Sequence, residues 1–277
     1  MRAELVSRLE SMAAIVHRFD RVVVAYSGGV DSALVLEVAH RAVGERCLGV
    51  IADSPSLTRD ELEAAVALGR GRGAAVRVVQ TNELAIAGYR DNDVDRCYFC
   101  KSELYGVLAA VAGEAGGATI LDGFNRDDRG DWRPGRRAAA EAGVVSPLDA
   151  AGLGKADVRE AARELGLANW DKPAAACLAS RIPYGTPVTV ESLERVASAE
   201  AVVRAEGFRQ LRVRGGETRA SIEVGVDELP RLMEADRLAR IETALGALGY
   251  EAVSVDPLGY RRGSLNPAAA ADGRAAL

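Results

Sequence analysis

Six consecutive residues, Ser27-Gly28-Gly29-Val30-Asp31-Ser32, have the types that bind phosphate. Two glycines let the backbone approach an anion closely, and two serine hydroxyls add donors. A helix starting here aims its first N–H groups, and its dipole, at the same point. Asp31 is a candidate Mg2+ ligand by charge and placement. Before the turn, Arg21-Val22-Val23-Val24-Ala25-Tyr26 reads as a buried strand. After it, Val30 to Val43 reads as a mostly apolar helix, with Glu37, His40 and Arg41 at helical spacing on one face. The hexapeptide is then a strand-to-helix turn opening a βαβ unit. No Gly-Lys-[Ser/Thr] follows, which excludes a Walker A loop, and the Gly-x-Gly-x-x-Gly spacing of a Rossmann turn is missing.

Sulfur chemistry is the second theme. Cys97-Tyr98-Phe99-Cys100 is a C-x-x-C. It reads as a redox dithiol, a zinc half-site, an iron–sulfur half-site, or two ordinary thiols on a helix start. The flanks lack the context of a thioredoxin-like site. Cys47 precedes the apolar run Leu48-Gly49-Val50-Ile51 and reads as a buried strand residue. Cys177 is therefore the one thiol left to join the pair. Three thiolates on a four-iron cluster leave one iron open, and an open iron can hold a sulfide. Lys172 and Arg181 would favour the Cys177 thiolate if they fold nearby, while a buried cysteine in an Ala-rich turn is the alternative. His17 and His40, the only histidines, read as surface residues, so a His-rich metal site is excluded by supply.

The elements that must position these residues alternate through the first half. Strands are expected at Arg46 to Ile51, Ala75 to Val79 and Thr119 to Leu121. Helices are expected at Thr58 to Arg72, Lys101 to Ala112 and Leu153 to Ala168, with a polar loop from Gly88 to Asp95. This is an α/β doubly wound pattern with a mostly parallel sheet. Such sheets bind ligands at their carboxyl ends. Ala52-Asp53-Ser54 and Leu121-Asp122-Gly123 fall there with the hexapeptide, so Asp53 or Ser54 is a candidate for the adenosine end of a nucleotide and Gly123 for the phosphate side. Asp127 and Asp128 read either as a metal pair or as a loop with local hydrogen bonds.

After an irregular stretch, Asn169 to Pro187, a smaller α+β unit is expected. Its elements are a helix at Glu191 to Gly207, strands at Gln210 to Arg214 and Arg219 to Val224, a helical region at Arg231 to Leu248 and a strand at Ala252 to Val255. The expected domains are 1–175, which holds the phosphate turn, and 176–265, with 266–277 a disordered Ala-rich tail. Arg212 and Arg214 alternate on one strand and share a face; Glu223 lies on the next strand and Glu200 on the preceding helix. Arginine forks suit phosphate, although a solvated charged strand face gives the same pattern.

With 277 residues and a net charge of −5, the chain is long enough for about two domains, and its charge argues against nucleic acid as main partner. No segment reaches the roughly 18 apolar residues that span a bilayer. The first 20 residues read as an amphipathic helix rather than a signal peptide, so a cytoplasmic location is expected.

The hexapeptide resembles the PP-loop of the ATP pyrophosphatases, which split ATP between the α and β phosphates and adenylate a substrate. A closer resemblance, to the LarE family of PP-loop sulfurtransferases, rests on three further segments: Arg96 to Lys101, Asp122 to Gly135 continuing to Ser146-Pro147-Leu148, and Ala176 to Thr186. The resemblance implies ATP and Mg2+, and a small-molecule nucleotide substrate, pyridinium-3,5-biscarboxylic acid mononucleotide. One carboxylate is adenylated and then sulfurated on the way to the nickel-pincer nucleotide. It also implies that Ser180, Arg181, Glu200, Arg212, Arg214 and Glu223 bind the nucleotide's phosphate and ring carboxylates, and that the protein is a homo-oligomer. Some family members sacrifice the cysteine matching Cys177; others hold a [4Fe-4S] cluster on three cysteines matching Cys97, Cys100 and Cys177. This chain has all three, so the cluster type is expected. A tRNA-thiolating relative would need a footprint for RNA that the acidic balance speaks against. An ammonia-using synthetase has no need of the three cysteines, and a non-enzymatic redox sensor would release no pyrophosphate.

Overall fold

In a computed structural model of the chain, residues 1–130, 134–173 and 176–261 are described. Residues 131–133 of the second resemblance segment, and the tail from 266, lie outside them. The chain forms two compact units. The first comprises Met1–Glu83 and Cys97–Ala175, the second Leu84–Arg96 and Ala176–Leu277.

The first unit runs α1 (Ala3–His17), β1 (Val22–Ala25), α2 (Val30–Val43), β2 (Cys47–Asp53), α3 (Arg59–Gly71) and β3 (Ala75–Gln80). After α4 (Ala87–Arg90), which belongs to the second unit, come α5 (Arg96–Glu114), β4 (Thr119–Leu121), α6 (Gly135–Glu141), α7 (Pro147–Ala150) and α8 (Lys155–Glu164). The four strands are all parallel, in the order β3-β2-β1-β4. From β1 the chain first moves to β2 on one side and later returns to β4 on the other. The order therefore reverses between β1 and β4, and this switch point, where such sheets bind ligands, lies at the ends of β1 and β4, which lead into Tyr26 to Ser32 and Asp122 to Phe124. Helix α2 follows β1 and buries Leu34, Val35, Val38 and Ala39 in the same core as Val158, Ala161 and Ala162 of α8. Arg2 and Arg8 of the amino-terminal segment reach Asp157 in α8 at 2.8 and 2.9 Å.

Two readings of the first unit are refined. Helix α5 starts at Arg96, not Lys101, so the C-x-x-C lies in its first turns. Here the polar loop is shortened by α4, and Arg96 N–H already bonds the Asp93 carbonyl. Glu37 is only 5% exposed. Its carboxylate accepts from Arg41 Nε at 2.7 Å and from Arg72 Nε and Nη2 at 3.0 and 2.7 Å, so an apparent surface position became a buried ion-pair centre between α2 and the end of α3.

In the second unit, α9 (Val190–Ala205) packs on β5 (Leu211–Gly215) and β6 (Arg219–Val224). Helices α10 (Leu229–Leu232) and α11 (Ala235–Ala247), two where one helical region was expected, precede β7 (Ala252–Val255). Strand β6 pairs antiparallel with β5 and parallel with β7. Leu211, Val213, Ile222 and Val224 face a core with Ala199, Val203 and Phe208. Because strand side chains alternate, Arg212, Arg214 and Glu223 share the opposite face.

Two predictions arise here. Burial alone would raise the Glu37 pKa, but Arg72 and Arg41 outweigh it and hold the carboxyl below its ordinary range. A depressed carboxyl stabilises the fold above its unfolded pKa and loses that contribution as pH falls through the folded value. Glu37→Gln should cost about 1–3 kcal/mol at neutral pH. In urea unfolding the gap to wild type should close as pH falls below about 4; a gap independent of pH would refute this account. The second concerns Gly28, whose φ is +70° and whose missing Cβ would overlap that of Ala65 on α3. Gly28→Ala should cost about 1–3 kcal/mol in thermal unfolding, and Ala65→Gly should recover part of it.

Candidate active site

The phosphate turn is braced by its own side chains. Ser32 Oγ accepts from Ser27 N at 3.1 Å, lies 3.1 Å from Ser27 Oγ and donates to the Gly29 carbonyl at 3.1 Å. Asn169 Nδ2 donates to the Gly28 carbonyl at 3.0 Å, which engages that oxygen. Below the loop, Tyr26 donates its hydroxyl to the Ala65 carbonyl at 2.8 Å, and burial pushes its pKa up to about 12. Gly29 caps α2 without a side-chain acceptor, so the helix's first N–H groups are not taken by a cap. Gly123 closes the other wall: a Cβ there would stand 2.9 Å from Ser32 N. The structure thus brings Ser27, Gly28, Gly29, Asp31, Ser32 and Gly123 together.

Asp31 points to a second set of groups. Asn125 Nδ2 donates to its Oδ1 at 3.2 Å, and Lys155, the first residue of α8, forms an ion pair with its Oδ2. Asp127 accepts from Lys155 N at 2.8 Å, and Asp128 accepts from Asn125 N at 3.2 Å, so the Asn-Arg-Asp-Asp segment makes local hydrogen bonds. Asp53 accepts from Arg59 and from Gln80 Nε2 at 2.7 Å, and the Ser54 hydroxyl donates to Glu83.

None of the four cysteines is in a disulfide. Cys47 is buried in β2, where desolvation pushes its pKa up to about 12, which keeps it a thiol. Cys97 and Cys100, three apart, lie on one side of the start of α5 in the first unit. Cys177 is exposed in the second unit, just before the short 3-10 turn Leu178–Arg181, rather than buried in an Ala-rich turn. Among the described residues, no group of three or more His, Cys, Asp or Glu side chains is arranged to hold a metal ion.

In the second unit, Ser180, Arg181, Glu200, Arg212, Arg214 and Glu223 form one cluster, and the charged ones are buried, not a solvated strand face. Arg181 forks onto Glu200 at 2.7 and 3.1 Å, and Arg214 forks onto Glu223 at 2.9 and 3.0 Å. Arg214 also donates to the Ser180 carbonyl at 2.7 Å, and Arg181 Nη1 to Ser180 Oγ at 3.2 Å. Arg212 is 6% exposed, and no carboxylate pairs with it among the described residues. It stacks 4.8 Å from the Tyr260 ring centroid and donates to that hydroxyl at 3.2 Å. Burial is the main reason its pKa is lowered, and Arg181 and Arg214 push the same way. A cation held so has no ion pair of its own, although Glu223 across the strand pair attracts it.

Sequence reasoning did not single out Lys155, Asn125, Asn169 or Asn92. Asn92 is fully buried with φ +56°, the one non-glycine residue at positive φ among those described. Its Nδ2 donates to the carbonyls of Pro183 and Thr186 at 2.8 Å each, and Arg96 donates to the Ala179 carbonyl at 2.7 Å. These bonds fix the segment after Cys177. The one sequence signal was an Asn in a polar loop, a residue that tolerates the left-handed region.

The NAD synthase family matches residues 4–92. An uncharacterized protein of Synechocystis is 42% identical over 95% of this chain and 98% of its own. The pyridinium-3,5-bisthiocarboxylic acid mononucleotide synthase of Lactiplantibacillus plantarum is 37% identical, over 95% of both chains. One subunit of the glutamine-hydrolyzing GMP synthase of Methanoculleus marisnigri is 29% identical over 66% of this chain and 64% of its own. A braced phosphate turn at a parallel-sheet switch point, and likeness along nearly the whole length to a synthase of this type, place the chain in the LarE family of PP-loop enzymes.

Proposed function

We propose that the protein uses ATP to adenylate a carboxylate of pyridinium-3,5-biscarboxylic acid mononucleotide and then replaces AMP with sulfur, giving a thiocarboxylate. The observation that carries this reading is the buried guanidinium of Arg212, which has no ion pair of its own, beside two charge-paired arginines. Such a site accepts an anion with several acidic groups, and its arginine forks match phosphate and carboxylate oxygens.

The residues divide the work by unit. Ser27, Gly28, Gly29 and Ser32 hold the pyrophosphate leaving group, with Gly123 lining the loop. Asp31 fits a divalent cation, being a half-buried carboxylate at the loop's edge whose oxygens already hold a cation and an amide. Asp53 or Ser54, at the carboxyl end of β2, contacts the adenosine end of ATP in this reading. Charge neutralisation at the leaving group lowers the barrier for carboxylate attack on the α phosphorus. Ser180, Arg181 and Arg212, with Arg214, Glu200 and Glu223 behind them, orient the mononucleotide.

Cys97, Cys100 and Cys177 suit an iron–sulfur cluster by donor type, since all three are thiols outside disulfides and the partly exposed Cys97 and Cys100 share one helix side. Held by them, a [4Fe-4S] cluster would supply sulfide to the acyl carbon. No helix among the described residues is long and apolar enough to cross a membrane, and the chemistry proposed needs none.

The first test is anaerobic iron and acid-labile sulfide content, with pyrophosphate release on adding the mononucleotide. About four irons per chain, lost in Cys97→Ala, together with substrate-dependent pyrophosphate, is the expected result. Pyrophosphate release without iron under reconstitution would remove the cluster and leave Cys177 as a single-use donor, seen as a mass loss equal to one molecule of hydrogen sulfide. No pyrophosphate release would reject the adenylation. A second test separates the arginines. Arg212→Met should weaken mononucleotide binding about 30- to 100-fold, since a charged hydrogen bond is worth about 2–3 kcal/mol, with the melting temperature unchanged or raised. Arg214→Met should instead unfold early, by about 3–5 kcal/mol, because it strands Glu223.

A further inference from the structure

We propose that Tyr260 is the platform for the pyridinium ring of the mononucleotide, which takes the aromatic face that the Arg212 guanidinium covers without ligand. This rests on the reading of the buried arginine cluster as the mononucleotide site. The tyrosine reaches that cluster from the far side of the sheet. Strand β7 lies next to β6 and not next to β5. Beyond β7 the chain turns back, so that Tyr260 N bonds the Val224 carbonyl of β6 at 2.7 Å. From there its side chain crosses to Arg212 on β5, whose register partner is Glu223, the residue before Val224. The guanidinium carbon stands 4.8 Å from the ring centroid, and Nη2 donates to the hydroxyl at 3.2 Å. The turn that presents the ring is closed on itself. Asp256, which is buried, accepts from Leu258 N at 2.8 Å and from Arg261 Nη1 and Nη2 at 3.3 and 3.0 Å. Its carbonyl accepts from Gly259 N at 3.0 Å. Gly259 has a φ of +63°, and a Cβ there would stand 2.8 Å from the Val224 carbonyl. The backbone on both sides of Tyr260 is thereby fixed.

A site for acidic groups alone needs arginines and hydroxyls. An aromatic face adds what those groups do not, attraction for a cation and a surface for a flat ring. A pyridinium ring is both, because its nitrogen carries the ribose and stays positive at every pH. Arg212 holds the face only until an anion arrives. Its ring contact is weaker than a charge-assisted hydrogen bond, so a phosphate or carboxylate oxygen draws the guanidinium off. The mononucleotide carries both parts of that exchange, an anion for Arg212 and a cation for the ring. Its acidic groups also screen the two positive charges from each other. Tyr260 thus selects the quaternary ring over a neutral ring of similar shape.

Three probes titrated into the full-length protein by calorimetry test this. They are nicotinic acid mononucleotide, its 1,4-dihydropyridine form, which keeps phosphate and carboxylate but loses the ring charge, and ribose 5-phosphate. Wild type should bind the pyridinium form about three- to tenfold more tightly than the dihydro form. Tyr260→Leu should shrink that ratio to about one, and Tyr260→Phe, which keeps the face, should retain it. Tyr260→Trp, with the better ring, should raise the ratio, and it carries the test if the Leu variant does not fold by circular dichroism. Equal binding of the two ring forms by wild type, a ratio that survives Tyr260→Leu, or a ratio lowered by Tyr260→Trp would overturn the proposal. Wild type that binds ribose 5-phosphate without distinguishing the ring forms would leave the anion site standing and reject only the platform. Wild type that binds none of the three would reject the mononucleotide reading of the cluster, and this inference with it.

Discussion

The carbonyl of Gly28 and the amide of Ser27 are each held from a different direction, Gly28 by Asn169 and Ser27 by Ser32. A phosphate turn works only if its N–H groups converge and its carbonyls do not, because a carbonyl aimed at an anion repels it. Here the unhelpful oxygen is engaged by an amide from a later segment. The conformation that permits this is left-handed at Gly28 and leaves no room for a side chain against Ala65. The turn therefore depends on the packing of α3 beneath it, and α3 depends on α2 through Glu37 and Arg72. Binding energy is not spent on ordering a loop that is ordered already.

The second unit meets the same requirement with charge. Two of the three buried arginines of its charged cluster, Arg181 and Arg214, each fork onto a carboxylate and hold their positions without a ligand. These pairs are poor sources of stability, since desolvation offsets most of the attraction, but they fix geometry. Arg212 is different in kind. It leans on an aromatic face and a hydroxyl, partners too weak to repay its desolvation. Such a cation persists where an anion repays it upon binding.

Much of the fold was legible because strand and helix periods are local. Val22 to Val24, the turn glycines and the alternation of Arg212 with Arg214 are patterns within a few residues. The strand order β3-β2-β1-β4 was not read from the sequence, which shows only a doubly wound, mostly parallel sheet. What could not be read were partnerships across long sequence separations. Glu37 looks like a surface residue until Arg72, far along the chain, folds over it. Lys155 is an ordinary helix-start lysine until the fold sets it on Asp31, and Asn92 is an ordinary loop amide until its carbonyl partners arrive from the segment after Cys177. The C-x-x-C was visible at once, but its place within α5 was not, because a polar run before it concealed where the helix begins.

A protein with a net charge of −5 that handles polyanions must keep its cations where the acidic surface does not cancel them. Pairing a cation in advance with a carboxylate meets that need at three points, Arg212 being the exception. Asp31 occupies Lys155, Glu200 occupies Arg181 and Glu223 occupies Arg214. The cost is affinity, because an incoming anion must compete with a carboxylate already in place. The gain is discrimination: a ligand succeeds only by presenting oxygens at several of these points together, and a stray phosphate or carboxylate presents too few. An open basic groove binds polyanions more tightly and distinguishes them less well, the balance suited to nucleic acid. Pre-paired clusters such as Arg181–Glu200 and Arg214–Glu223 suit small anionic molecules better than a polymer.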